Sequence, residues 1–272
     1  MRTGLLLGRE YLTLGGVAAI AEGSCAIALS LGGAKKLYDH TDPNEDAAAF
    51  AEGEGGMLVA VADGHGGHQA AEVASVQLLS SAAERWTTRE APGLRERWQE
   101  EASEVLQECN AAILDCVSRG GSETSRTTLI FALLRPRDDL LAFASMGDSH
   151  LFHAGAIEVV DLAFDAKRQG FFLGFPAETR ESLRERSVYA CESLRGTRAL
   201  VLATDGFSER GIGVDHPEAV VAECVAAAAS AGPPLRALEA ARGVAEQAVA
   251  AQRRQRSGDN VATATAWLGD VG

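Results

Sequence analysis

Short apolar runs that stop or start at an aspartate recur along this chain. The run MLVAVA (Met57–Ala62) stops at Asp63-Gly64, and LLAFASM (Leu140–Met146) stops at Gly147-Asp148. The run ALVLA (199–203) leads into Thr204-Asp205-Gly206, and Gly258-Asp259 precedes VATATAWL (261–268). Runs of this length and composition read as buried strands. Neighbouring strand ends bring such side chains to one edge, where several carboxylates repel unless cations stand between them. The pattern therefore constrains fold and chemistry together. Hard oxygen donors suit Mg²⁺ or Mn²⁺, whereas zinc favours His and Cys. Any one Asp-Gly pair is ordinary turn chemistry. The recurrence, together with Asn44-Glu45-Asp46, is what points to a metal site.

The segments between these runs supply the remaining elements. Residues 68–86 carry apolar positions at helical spacing (Ala71, Val73, Ala74, Leu78, Leu79, Ala82), and 94–117 form a longer helix ended by Gly120-Gly121. From Thr127 the period changes to that of strands, and TTLIFALL, a polar turn at 135–139, LLAFASM and a run at 151–153 read as a β-meander. Residues 217–231 and 234–252 read as two Ala-rich helices joined at Gly232-Pro233-Pro234. Residues 1–34 lead into the first strands, and 161–190 is a polar segment with an apolar island at 171–176. Strands that flank helical pairs, without βαβ alternation or internal repeat, indicate an α+β layered fold. No linker divides the chain, so one domain over 1–272 is expected.

Charge and cysteine content exclude several functions. With 25 Lys and Arg against 38 Asp and Glu, a net charge of −13 disfavours nucleic acid, since only Arg253, Arg254 and Arg256, and Lys35 and Lys36, cluster. Five cysteines without a CxxC pair suggest neither a zinc knuckle nor a disulfide framework, which fits a reducing cytoplasm. Arg9, Glu10 and Glu22 interrupt the N-terminal apolar runs before membrane-spanning length, so no membrane association is expected.

The ordered segments NEDA (44–47), VADGHGGHQAAEVAS (61–75), MGDSHLF (146–152), TDGFSE (204–209) and SGDNVA (257–262) resemble the motifs of the PPM, or protein phosphatase 2C, family of metal-dependent serine/threonine phosphatases. The resemblance implies an α-β-β-α sandwich of two antiparallel sheets flanked by helices, with two Mg²⁺ or Mn²⁺ ions at one edge. It implies that Asp63 bridges the two metals and that the Gly64 carbonyl ligates one. Asp205 and Asp259 would hold the other, and Asp46 with Glu45 beside it would complete the shell. Asp148 matches a position that serves a third metal, and Glu209 stands where the family has an acidic partner. His65 is placed to protonate the leaving alkoxide. The implied substrate is a phosphorylated protein, the target of a Ser/Thr kinase, in cytoplasmic signalling. His65 and His68 as an HxxH zinc pair fit less well, with poor helical spacing and no third His or Cys nearby.

The chain departs from the family in places. Where relatives carry a phosphate-binding arginine, five residues before Asp46, stands Thr41, and a lost guanidinium contact weakens phosphate binding. Arg126 replaces a glycine and is either a solvated edge residue or, as Lys35, Lys36 or His40 could also be, the relocated positive charge. His150 replaces an arginine, and the segment after the meander is unlike the family's flap. Two other readings are a pseudophosphatase serving as a regulatory binding module and a hydrolase of small phosphoesters. The absence of GxxxxGK[ST] and GxGxxG leaves nucleotide binding through those devices unsupported.

Overall fold

Fourteen strands and five α-helices form among the described residues, which in this computed structural model are 1–269 apart from 39, 89, 165–169 and 177–178. In chain order they are β1 (Arg2–Leu7), β2 (Ala18–Glu22), β3 (Cys25–Ser30), β4 (Ala47–Glu52), β5 (Met57–Ala62), β6 (Gly64–His65), α1 (Gln69–Thr87) and α2 (Leu94–Ser118). Then come β7 (Arg126–Thr127), β8 (Leu129–Arg135), β9 (Leu140–Met146), β10 (His150–Gly155), β11 (Val159–Asp161), α3 (Arg180–Arg186) and β12 (Val188–Glu192). The chain closes with β13 (Thr197–Ala203), α4 (Pro217–Ala229), α5 (Arg236–Gln255) and β14 (Val261–Trp267).

The strands pair antiparallel in two six-stranded sheets, ordered β1-β4-β5-β8-β9-β12 and β11-β10-β13-β14-β3-β2, with β6 and β7 as a separate two-stranded ribbon. Successive strand side chains point to opposite faces. In the first sheet Val59, Val61 and Ile130 meet Ile27, Leu200 and Leu202 of the second, while Leu58, Ala60, Phe131 and Leu133 lie under α1 and α2. The other sheet turns Ala26, Ala28 and Val201 toward α5, whose Ala240, Ala241, Val244, Ala245 and Ala248 pack onto them. The result is the expected α-β-β-α sandwich. Both faces of the central strands are covered, which is why their sequences read as unbroken apolar runs. The outer core of the first sheet centres on Trp86, Trp98 and Phe131, with ring centroids 4.9, 5.7 and 6.0 Å apart. Each such pair contributes about 0.5–1.5 kcal/mol beyond its area burial.

The meander expected over 127–153 is corrected here. β8 and β9 form a hairpin, but the next strand leaves their sheet: β10 pairs with β13 in the opposite one. Gly147 makes the exit, at φ 106, where an added Cβ would lie 2.5 Å from Thr128 Cγ2. An apolar run carries no signal of which sheet it joins. Within 161–190 the chain forms α3 and β12, and Leu173 bridges to Thr127, whereas 165–169 and 177–178 lie outside the described residues. The Gly-Pro-Pro segment does connect α4 and α5, through a short 3-10 turn at Pro233–Leu235. No described helix is long and apolar enough to cross a membrane.

Candidate metal centre

The strand-end aspartates come together from both sheets. Asp46 immediately precedes β4 and Asp63 immediately follows β5, whose Ala47 and Ala62 are paired. On the opposite sheet Asp205 lies two residues after β13 and Asp259 two before β14, with Ala203 paired to Thr263. Asp148 lies in the crossing from β9 to β10. These ends surround a cavity of about 210 Å³ walled by Glu45, Asp63, Asp148, Asp205, Glu209 and Asp259. Tyr38, Gly64, His65 and Phe172 complete the wall. Carboxylate oxygens of Asp63, Asp148 and Asp205 lie within 4.8 Å of one another, and so do those of Asp205, Glu209 and Asp259. Asp205 is common to both groups.

Two of the nominated acids play different parts. Glu45 reaches the cavity, and its Oε1 accepts the amides of Thr41 at 3.2 Å and Asp42 at 3.0 Å. Asp46 stands behind it, buried, accepting from Thr204 Oγ1 at 2.8 Å across the gap between the sheets. Burial and the neighbouring Asp259 push the Asp46 carboxyl up to about 7, against the opposing pull of Lys36. Burial, and then Asp205, raise Asp63 well above the ordinary carboxylate range, and burial with Asp259 does the same to Asp205. Asp148 and Glu209 are raised as well, chiefly by burial. Such crowding is relieved by divalent cations, and both groups offer only oxygen donors. The residues present therefore fit Mg²⁺ or Mn²⁺.

The ribbon of β6 and β7 holds Gly64 and His65 at the rim, paired with Thr127 and Arg126. An added Cβ on Gly64 would lie 2.1 Å from the Glu45 carbonyl oxygen, so only glycine fits. The Asp63 carbonyl accepts from Thr127 Oγ1 at 2.9 Å and from the Thr128 amide at 2.9 Å. Exposed at the rim, His65 stacks on Phe172 with centroids 5.3 Å apart. His68 is committed elsewhere, with Nδ1 2.6 Å from Asp42 and Nε2 3.9 Å from Glu72.

The four cation candidates separate clearly. Arg126 places its guanidinium 4.7 Å over the Phe175 ring and donates Nη1–H to the Ser125 carbonyl at 2.6 Å. Lys35 is exposed, and His40 is exposed with Nδ1 3.0 Å from the Tyr38 carbonyl. Lys36 enters the cleft, its Nζ 3.4 Å from Asp259 Oδ1 and 3.9 Å from Glu45 Oε2. Thr41 is exposed. His150 is buried between Phe152 and Phe164, bonded to Asp161 Oδ2 at 2.6 Å and to the Ser208 hydroxyl.

Several contributors were not singled out in the sequence. Asn260 accepts the Glu45 amide at 2.9 Å and donates to the carbonyls of Leu31 and Pro43, so it pins the acidic loop to β14. Its position beside Asp259 inside SGDNVA is the one signal it gives. Thr204, which joins the sheets, is signalled only by its place at the head of TDGFSE, and Tyr38, whose hydroxyl donates to Asp259 Oδ1, carries no local signal.

Fold and site together define a four-layer sandwich with an acidic, cation-fitting cleft between the ends of its sheets. The family profile described as protein phosphatase 2C matches residues 33–249, and the chain belongs to that family. No curated protein sequence matches this one. Among solved structures, it is similar to the Mycobacterium tuberculosis serine/threonine phosphatase PstP/Ppp, with a TM-score of 0.60 at 20% identity over 94% of this chain and 99% of that one, and to the catalytic domain of serine threonine protein phosphatase PstP in complex with two manganese ions. The latter likeness has a TM-score of 0.60 at 21% identity, covering 94% of this chain and 100% of that one. It is similar also to serine-threonine phosphatase 2C from Toxoplasma gondii, with a TM-score of 0.66 at 14% identity over 98% of this chain and 99% of that one. A bacterial serine phosphatase gives 0.58 at 17% identity, over 90% and 98%. At these identities the likeness is one of fold.

Proposed function

We propose that this chain hydrolyses phosphoserine and phosphothreonine on proteins with the help of Mg²⁺ or Mn²⁺. The observation that carries the reading is the pair of carboxylate groups sharing Asp205, drawn from the ends of both sheets. Bound divalent cations would supply a water acidified toward a pKa of about 7 and positive charge for the phosphoryl oxygens. Asp63, Asp148, Asp205, Glu209 and Asp259 would hold the cations, with Glu45 and the Gly64 carbonyl at the same wall. Asp46 would act through its bond to Thr204. His65, exposed at the rim and oriented by Phe172, would donate its proton to the departing serine or threonine oxygen. Substrates would be products of a Ser/Thr kinase in a cytoplasmic signalling circuit.

Thr41 and the engagement of Lys36 in the cleft favour a second reading, a pseudophosphatase that binds without turnover. Hydrolysis of a phosphothreonine peptide, with and without Mn²⁺, separates the two, with nucleotides and small phosphoesters as competing substrates. We expect Mn²⁺-dependent release of phosphate with preference for the peptide. No release at any Mn²⁺ concentration would sink the phosphatase reading, and preference for a nucleotide would sink the protein specificity.

A further inference from the structure

The loop between β3 and β4 carries a cation of its own into the acidic cleft. The Lys36 side chain is 5% exposed, with Nζ 3.4 Å from Asp259 Oδ1 and 3.9 Å from Glu45 Oε2. Its ammonium lies 5.4 Å from the centroid of the Tyr38 ring. Asp259 Oδ1 is already well served: it accepts the Asn260 amide at 2.7 Å and the Tyr38 hydroxyl as well. An ammonium removed from water is held only by such partners, and removing the pairing exposes a large desolvation penalty. Asp259 also belongs to the group with Asp205 and Glu209, whereas Asp63, Asp148 and Asp205 form the other. A cation seated among the oxygens of the former group meets Lys36 at Asp259. No ion pair links Lys36 to Asp63 or Asp148.

We propose that Lys36 is a built-in counter-ion that a divalent cation entering at Asp205, Glu209 and Asp259 must displace. The inference rests on the metal-dependent reading above. It gives the two carboxylate groups unequal affinities: the one against Lys36 fills last. Removal of the ammonium then tightens that second binding event and leaves the first little changed.

Calorimetric titration of Mn²⁺ into the intact wild-type chain, Lys36→Met and Lys35→Met tests this. Lys35 is the charge-matched control, one residue away and exposed. In Lys36→Met the weaker class of site tightens by at least about tenfold, a change of about 1.4 kcal/mol, while Lys35→Met stays within about twofold of wild type. Equal shifts in the two variants, no shift in Lys36→Met, or no Mn²⁺ binding by the wild-type chain would each overturn the proposal. Should Lys36→Met fail to fold, labelling of the wild-type chain with an amine-reactive acylating reagent gives the answer, read at Lys36 by peptide mass spectrometry. Labelling rises as Mn²⁺ is added if the ammonium is displaced, and labelling that stays flat overturns the proposal. A chain that shows this competition yet leaves phosphothreonine peptide intact would sink the phosphatase reading alone.

Discussion

Single side chains divide into those a local pattern reveals and those it hides. Asp63 joins Asp148 and Asp205 within 4.8 Å, so Asp63→Ala is expected to abolish tight Mn²⁺ binding and turnover together, by calorimetry and phosphate release. His65 belongs to neither carboxylate group, and His65→Ala should keep metal affinity. It should slow a phosphoserine peptide by about 10²–10⁴-fold, and an aryl phosphate with a good leaving group much less. Equal losses on both substrates would count against proton donation. Arg126, seated on Phe175, should tolerate Ala with kcat and KM within about twofold of wild type. Strand-end aspartates were legible because turn chemistry and apolar runs are local signals. Lys36 was named as one of several cation candidates, and Tyr38, Thr204 and Asn260 were not singled out, because the contacts that give all four their roles join segments more than a hundred residues apart in sequence, which leave no period to read.

At the scale of elements, α1, α2, α4, α5 and the strands β5, β8, β9, β13 and β14 were legible to within a few residues, because burial on both faces or on one helical face imposes its own period, whereas β4 and α3 were not read. The sheet that β10 joins was not, since a turn at Gly147 looks the same whether the chain folds back or crosses over. The short β6–β7 ribbon was hidden as well, yet it sets the height of Gly64 above Glu45. Gly64→Ala would drive a Cβ against the Glu45 carbonyl, so the acidic loop must shift. We expect weaker Mn²⁺ binding in that variant with a melting temperature little changed, read by calorimetry and thermal scanning. Trp98 is the converse case. It packs on Trp86 and Phe131 in the core between the first sheet and its helices, donates Nε1–H to the Phe143 carbonyl at 2.8 Å, and takes no part in the wall of the acidic cavity. Trp98→Ala should lose about 3–5 kcal/mol of stability while sparing metal affinity in whatever fraction remains folded.

For the whole molecule, the carboxylate cluster makes stability depend on pH and metal together. A raised carboxyl binds its proton more tightly in the folded chain than in the unfolded one, where carboxylates titrate near 4. Asp46, raised to about 7 among Asp259, Lys36, Thr204 and the Gly64 amide, therefore favours the folded state at acid pH, and that advantage is lost as pH climbs through the same interval. Asp63 and Asp205 act in the same direction. The melting temperature of the metal-free protein should fall between about pH 5 and about pH 8, and added Mn²⁺ should reverse the fall by mass action. A melting temperature that rises over that interval without metal would show that other groups dominate.

The two sheets are joined differently at their opposite ends. At one end Asp46 and Asp63 face Asp205 and Asp259, with Thr204 bonded directly across to Asp46. At the other, the Ser24 amide reaches Glu52 at 3.3 and 3.4 Å, and Arg2 balances the acids there with ion pairs to Glu52 at 3.8 Å and Glu22 at 3.6 Å. Cations that ligate both halves of the acidic end would therefore work as a clasp at that end of a sandwich whose interior is apolar. Chelation should open that end first, with amide hydrogen exchange quickening at the start of β4 and the end of β13 while the edge near Ser24 and Glu52 keeps its pace.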